Sequence, residues 1–416
     1  MMYNLASTSR LFKASSLFTH NHTIYRFAPI RYVQQQQQRR NYACQIHHPT
    51  KLGQLRAKFR QFGEGHIELD LNHSPGLAIL TLHNPSKHNS LTGKMIAELG
   101  DCVDFLEEAT ISASFLTPVT FTSVTKMART QSHGDTSERS SAASSSSVNE
   151  QIPQLYPGSG LVLKSGGKVI ESLEQEHVEI LDNLVGIIVT GSANKSYCAG
   201  LDISAAKTTL LSSQAGSEMS TLMVSSLTRF MRLPLLTIAA IEHAAIGGGA
   251  ELTTFCDHRC MSETAKIQFV QTEMGVVPGW GGASRLLNIV SRSQALRLLG
   301  AAEPIQGGQE AVQCGFAQIS APAQKTVEVA TEYMQRYVWH KPPSSSENNT
   351  GGDESQGARR CVPAVRAMKR IVSHGMDHDR VDRVSEFEKD LFKQFWGGDD
   401  NLARVAAAFS GNKKKN

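Results

Sequence analysis

The fold is decided by the stretch LLTIAAIEHAAIGGGAELTT, residues 235–254. Leu235 to Ile241 is a short apolar run of strand length, and Pro234 disfavours helical geometry at the Leu233 before it. Gly247-Gly248-Gly249 then opens a helix through Ala250–Cys256. Upstream, Met219, Leu222, Met223, Leu227, Phe230 and Met231 recur at helical spacing from about Ser217. Further back, Val185-Gly186-Ile187-Ile188-Val189-Thr190 is another continuous apolar run, suited to a strand buried on both faces. Strand, glycine turn, helix, strand describes an α/β core.

A second junction of the same kind is Tyr197-Cys198-Ala199-Gly200-Leu201-Asp202, after the Val185–Thr190 strand. Each junction places small residues where backbone N–H groups at a helix start lack partners. Such groups, aided by the helix dipole, bind anions or polarised carbonyls. The same glycines would also let a helix pack tightly on a strand. The spacing is not GxGxxG and no P-loop Lys follows, which argues against a nucleotide-phosphate loop. Glu251 lies two residues past the glycines, and Glu273 sits between apolar segments in Phe269–Gly275. A carboxylate in apolar surroundings has a raised pKa and can serve as a general acid. Taken singly, each is more often a helix-start charge or a solvated residue.

Outward from this block, Ile67, Leu69 and Leu71 alternate with polar residues, as do Leu77 and Ile79, around the turn cluster Asn72–Gly76. This predicts a β-hairpin. Asn84-Pro85 ends it, and Leu91 to Ala109 reads as a helix. Residues 110–176, with the Ser/Ala run 140–147 and the Gly/Ser-rich 158–167, read as a disordered insertion, as does 344–357. The first 60 residues form a basic, disordered leader with no Asp or Glu before Glu64, a composition like that of a mitochondrial transit peptide. The expected organisation is therefore leader 1–60, core 61–319 interrupted at 110–176, helical region 320–409 and polar tail 410–416.

The chain has 416 residues and a net charge of +4, most of the excess lying in the leader, so the charge does not point to nucleic acid. No uncharged apolar run reaches the ~18 residues of a membrane span. Seven cysteines without paired spacing argue against a disulfide scaffold, and Cys256-Asp257-His258-Arg259-Cys260 is not zinc spacing, so no metal is expected. Arg229, Arg232, Arg285 and Arg292 read as solvated faces. Lys413–Lys415 read as a tail, with charge pairing to a phosphate group as the sharper alternative.

Residues 61–109 and 178–409 together resemble the crotonase (enoyl-CoA hydratase/isomerase) superfamily. The matching motifs, in order, are Asn84–Leu91, Val189-Thr190-Gly191 through Gly200-Leu201-Asp202, Gly247–Leu252, Cys256-Asp257 and Phe269 through Leu286. Within it, Leu227–Pro234, Gly248–Thr254, Glu273–Gly282 and Phe395–Gly398 resemble the ethylmalonyl-CoA decarboxylases. The resemblance implies a spiral of ββα units with C-terminal helices that assemble a homotrimer or dimer of trimers, and an acyl-CoA thioester substrate. No cofactor is implied beyond the coenzyme A of that substrate. It also implies an oxyanion hole from the backbone N–H groups of Leu201 and Gly248, and acid/base positions at Glu251 and Glu273. Lys87 matches the loop near the CoA adenine end. Ala199, Gly200, Asp202, Gly247, Gly249 and Trp280 are expected to line the substrate site. His243 departs from the family, which usually has Gly there, and reads as a structural substitution.

These parts suit decarboxylation of a malonyl-type thioester, with Glu273 as the expected proton donor and at least one Glu neutral or turned away. Hydration or isomerisation of an enoyl-CoA is the rival reaction. A non-catalytic acyl-CoA or RNA-binding module is the alternative of another class. The metabolite-repair role implied by the resemblance places the protein in the cytosol, whereas the leader composition points to the mitochondrion.

Overall fold

The computed structural model describes residues 49–112, 160–192, 196–206, 212–340 and 359–377, with 389, 392–393, 396–398, 401–403 and 405–406. It begins with helix α1 (Pro49–Phe59), which buries Leu52, Leu55 and Phe59 along one face. The expected leader boundary at residue 60 is thus corrected. Basic composition masked a packed amphipathic helix, whose Arg56 and the following Arg60 pair with Asp101. Residues 1–48 lie outside the described residues.

The hairpin follows as β1 (His66–Ser74) and β2 (Leu77–His83), antiparallel with Leu69 opposite Leu80. Helix α2 (Gly93–Ser112) packs Met95, Ile96, Leu99, Val103 and Leu106 into the core. Next come β3 (Val162–Ser165) and β4 (Lys168–Val169), with β3 parallel to β1. These strands lie inside the 110–176 segment expected to be disordered, and α2 runs through its first residues, so that boundary is corrected too. The Gly/Ser-rich composition there is in part a hairpin turn. Gly166 N–H and Gly167 N–H donate to the Asp70 carboxylate at 2.9 and 2.6 Å. The rest of that segment, 113–159, and the 344–357 segment lie outside the described residues, as do Lys413–Lys415.

The chain continues through α3 (Gln175–Asp182), β5 (Gly186–Gly191), β6 (Ser196–Cys198), α4 (Ile203–Ala206) and α5 (Ser213–Arg232). Then follow β7 (Leu236–Ile241), β8 (Ala244–Ile246), α6 (Gly248–Thr253), β9 (His258–Ser262) and β10 (Lys266–Gln268). After a 3-10 turn at Thr272–Met274 come α7 (Gly282–Leu286), α8 (Arg292–Gly300), β11 (Ile305–Gln306), α9 (Gly307–Gln313) and β12 (Ile319–Ala321). Helices α10 (Thr326–Val338) and α11 (Val362–Asp377) follow.

An eight-stranded sheet has the order β12-β9-β7-β5-β2-β1-β3-β4, and a four-stranded sheet the order β11-β10-β8-β6. Successive pairs β5-β6, β7-β8 and β9-β10 each give one strand to either sheet before the chain enters helical turns. The chain therefore winds as a spiral of ββα units, in the fold class the resemblance implies. The β5 strand is buried on both faces, as its apolar run predicts: Ile187 and Val189 join one core, while Ile188 joins another capped by Ala330, Met334 and Val338 of α10. Ser212 caps α5 by accepting from Ala215 N–H at 3.1 Å, and the helix stops before Pro234. Among the described residues, no helix is long and apolar enough to cross a membrane.

Candidate active site

Two strand-to-helix turns, after β6 and after β8, meet at the edge of the small sheet. These strands are parallel neighbours, with Cys198 opposite Ala245, so their C-terminal ends deliver the turns to one place. Gly200, at φ 89°, sits where a Cβ would lie 2.8 Å from Ile246 O and 3.2 Å from Gly248 N. A Cβ on Gly249 would lie 2.0 Å from Cys198 O. Only glycine permits so close an approach of two backbones. Leu201 N–H follows Gly200 on one turn, and Gly248 N–H is the first of α6 on the other. Leu201 and Gly248 are both half-buried. As the first residue of its helix, Gly248 has an amide that no intrahelical bond uses. Gly247, with φ 56° and ψ −119°, turns the chain into α6 and fastens it by donating to Gln268 O at 2.8 Å.

The Leu201 turn is held by the 84–91 loop. Leu91 N–H donates to Gly200 O at 2.7 Å, Asp202 N–H to Leu91 O at 2.9 Å, and Ala199 N–H to His88 O at 3.0 Å. The loop itself is tied by Asn89, a member of the Asn84–Leu91 motif. Its Nδ2 donates to Ser192 O and Ser196 O at 2.7 and 2.8 Å, and its Oδ1 accepts Asn84 N–H at 3.0 Å. His88 and Asn89 adopt left-handed backbone, which Asn tolerates better than most residues. Lys87 is exposed at the outer end of this loop. Asp202 is buried, and its carboxylate accepts from Ser204 N–H at 2.9 Å and Ser204 Oγ at 2.5 Å at the start of α4.

The two glutamates, expected to share apolar surroundings, occupy different ones. Glu251, on α6, is 2% exposed. Its Oε1 accepts from Gln271 Nε2 at 2.9 Å, and its Oε2 from Trp280 N–H and Gly282 N–H at 2.9 and 3.0 Å. Burial pushes its pKa up, against the pull of these donors. Glu273, in the 3-10 turn, is exposed, with Gln268 Nε2 at 3.4 Å. The apolar setting expected for Glu273 is therefore corrected: the short turn lifts it away from the buried Phe269 beside it.

Trp280 is buried, and its ring occupies the place of a side chain at Gly248, where a Cβ would lie 2.2 Å from Cζ3. It thus touches the turn that carries Gly248 N–H. Gln271 is a site residue that sequence reading missed; its proximity to the Glu273 motif was the available signal. Arg285 was expected on a solvated face. It is buried, donates to Gly281 O and Thr228 Oγ1, and stacks 3.6 Å over Phe255. Arg229 was expected there as well, but it is part-buried and pairs with Asp104 and Glu107 between α2 and α5. His243 is half-buried at the β7–β8 turn.

A family model described as enoyl-CoA hydratase/isomerase matches residues 167–348. Ethylmalonyl-CoA decarboxylase of Rattus norvegicus is 35% identical over 248 residues, covering 58% of this chain and 74% of that protein. The protein of the same name from Gallus gallus is 30% identical over 351 residues, covering 84% of this chain and 85% of that one. An enoyl-CoA hydratase/isomerase structure from Xanthobacter autotrophicus Py2 superposes with a TM-score of 0.54 at 15% identity, covering 84% of this chain and 94% of that one, a likeness of fold.

Proposed function

The chain belongs to the enoyl-CoA hydratase/isomerase family, and we propose that within it the protein is a carboxy-lyase that converts ethylmalonyl-CoA to butyryl-CoA and CO2, with methylmalonyl-CoA as a secondary substrate. Breaking the bond between the α-carbon and the carboxylate leaves its electron pair in a thioester enolate. The negative charge gathers on the thioester oxygen, which the N–H groups of Leu201 and Gly248 would hold. Losing one such donor typically costs about 2.7–4 kcal/mol of transition-state stabilisation. A proton on the α-carbon then completes butyryl-CoA, and Glu273 is the proposed relay for it. No cofactor takes part in this scheme.

The observation that carries the choice of a lyase over a hydratase is the commitment of Glu251. Hydration in this scheme calls on two acid/base carboxyls acting on one water and one alkene. Here both oxygens of Glu251 accept bonds from Gln271, Trp280 and Gly282. Decarboxylation needs no base, so it tolerates that commitment. The names of the two relatives support the same substrate. Incubation with ethylmalonyl-CoA is expected to yield butyryl-CoA and CO2, with crotonyl-CoA unchanged. Formation of 3-hydroxybutyryl-CoA from crotonyl-CoA, without CO2 release from ethylmalonyl-CoA, would instead make it a hydratase.

The proposed assembly is a homotrimer or dimer of trimers, supported by the exposed Met368, Ile371 and Val372 on α11. A cytosolic site of action fits metabolite repair. Fluorescent fusions with and without residues 1–43 test it, and mitochondrial import that depends on those residues would overturn it.

A further inference from the structure

We infer that Glu251 is a positioning residue: its carboxylate holds the 279–282 loop so that the Trp280 indole lies against Gly248 and keeps water from the enolate oxygen. This deepens the lyase reading and rests on it. Gly248 and Glu251 are the first and fourth residues of α6, so they lie one turn apart on the same side of the helix. The helix therefore offers the amide at its first residue and, one turn on, the carboxylate that fixes the ring packed on that residue.

The linkage is short at every step. Trp280's own backbone N–H donates to Glu251 Oε2 at 2.9 Å, and Gly282 N–H reaches the same atom at 3.0 Å across Gly281, whose φ is 85°. Gly282 is pressed so close that a Cβ there would lie 2.5 Å from Glu251 Cγ. The other side of the loop is held by Ser220 Oγ donating to Gly279 O at 2.6 Å, and by the Phe392 ring, which a Cβ on Gly279 would approach to 2.4 Å. The loop thus has one seat. An apolar ring beside the amide removes competing water and raises the worth of an N–H···O bond to developing charge. Three of the carboxylate's roughly four acceptor sites are taken by these bonds, which commits the group to the loop.

The test combines kinetics with fluorine NMR of protein labelled with 5-fluorotryptophan. The chain has three tryptophans, at 280, 339 and 396, and Trp280→Phe assigns the resonance of interest. In Glu251→Gln, the Trp280 resonance is expected to move and gain a solvent isotope shift between H2O and D2O, while Trp339 and Trp396 stay in place. On ethylmalonyl-CoA, the double variant Glu251→Gln/Trp280→Ala is expected to turn over within about twofold of Trp280→Ala alone, because the two residues act as one unit. Glu251→Asp, too short to reach both loop amides, reads the same effects if the Gln variant does not fold. An unmoved Trp280 resonance alongside lost turnover would overturn the inference, as would losses that multiply in the double variant. A wild-type protein inactive on ethylmalonyl-CoA would remove the lyase reading while leaving the fluorine result to stand on its own.

Discussion

Gly248 carries two demands: its N–H is one of the two proposed to hold the oxyanion, and its missing side chain makes room for Trp280. Gly248→Ala would set a methyl 2.2 Å from the indole, so the ring must leave its seat. Overpacking of this kind costs about 1–3 kcal/mol. The variant is expected to fold with a lowered Tm and to lose most decarboxylation at saturating substrate. Unchanged kcat would show that the ring is not part of the site. A second residue-scale outcome concerns Glu98, fully buried and bonded to Ile67 N–H at 2.9 Å. Burial raises its pKa to about 7. The folded state therefore holds this proton more tightly than the unfolded chain, and stability is lost as pH rises from the ordinary carboxylate range through about 7. Glu98→Gln keeps an acceptor for Ile67 and removes the charge. Its Tm advantage over wild type is expected to grow from pH 5 to pH 8, as measured by calorimetry. A constant difference would contradict it.

At the scale of elements, the site exists because parallel strands β6 and β8 end together and their turns face each other. That much was legible in the sequence: apolar runs marked the strands, and glycines just past them marked close approach. What holds the turns was not legible. Asn89 finds Ser192 and Ser196 more than 100 residues away, and no local pattern announces such a pairing. Glu251 looked like a general acid because burial was readable from its neighbours, whereas its acceptance of loop amides 29 and 31 residues ahead was not. The setting of Glu273 differs from expectation for the opposite reason, since apolar neighbours in sequence do not bury a residue lifted out by a 3-10 turn. The Gly/Ser-rich end of the 110–176 segment failed likewise, because composition cannot distinguish a hairpin turn anchored on Asp70 from a linker. Asn89→Ala strips partners from Asn84 N–H, Ser192 O and Ser196 O. It is expected to cost roughly 2–4 kcal/mol in denaturant unfolding. It should also lower kcat/KM, because the 84–91 loop sets the place of Leu201. Loss of stability with full activity would detach that loop from the site.

For the whole molecule, α11 is anchored on one side and bare on the other. Arg366 donates to Leu181 O and Leu184 O, and the buried Lys369 pairs with Asp257. The opposite side leaves Met368 57%, Ile371 62% and Val372 57% exposed. Clustered apolar exposure of this kind marks a surface for association. Ile371→Glu is expected to shift the protein from trimer to monomer in light scattering after size exclusion, and a wild-type monomer would remove the assembly proposal. Above assembly stands the chemistry proposed for the spiral, the meeting of two backbone amides on one oxygen. Infrared spectroscopy of bound butyryl-CoA labelled with 13C at the thioester carbonyl reads that meeting directly. The expected result is a carbonyl band at lower frequency than in solution, restored toward the solution value in Gly248→Ala. A band at the solution frequency in the wild-type complex would contradict the enolate cradle.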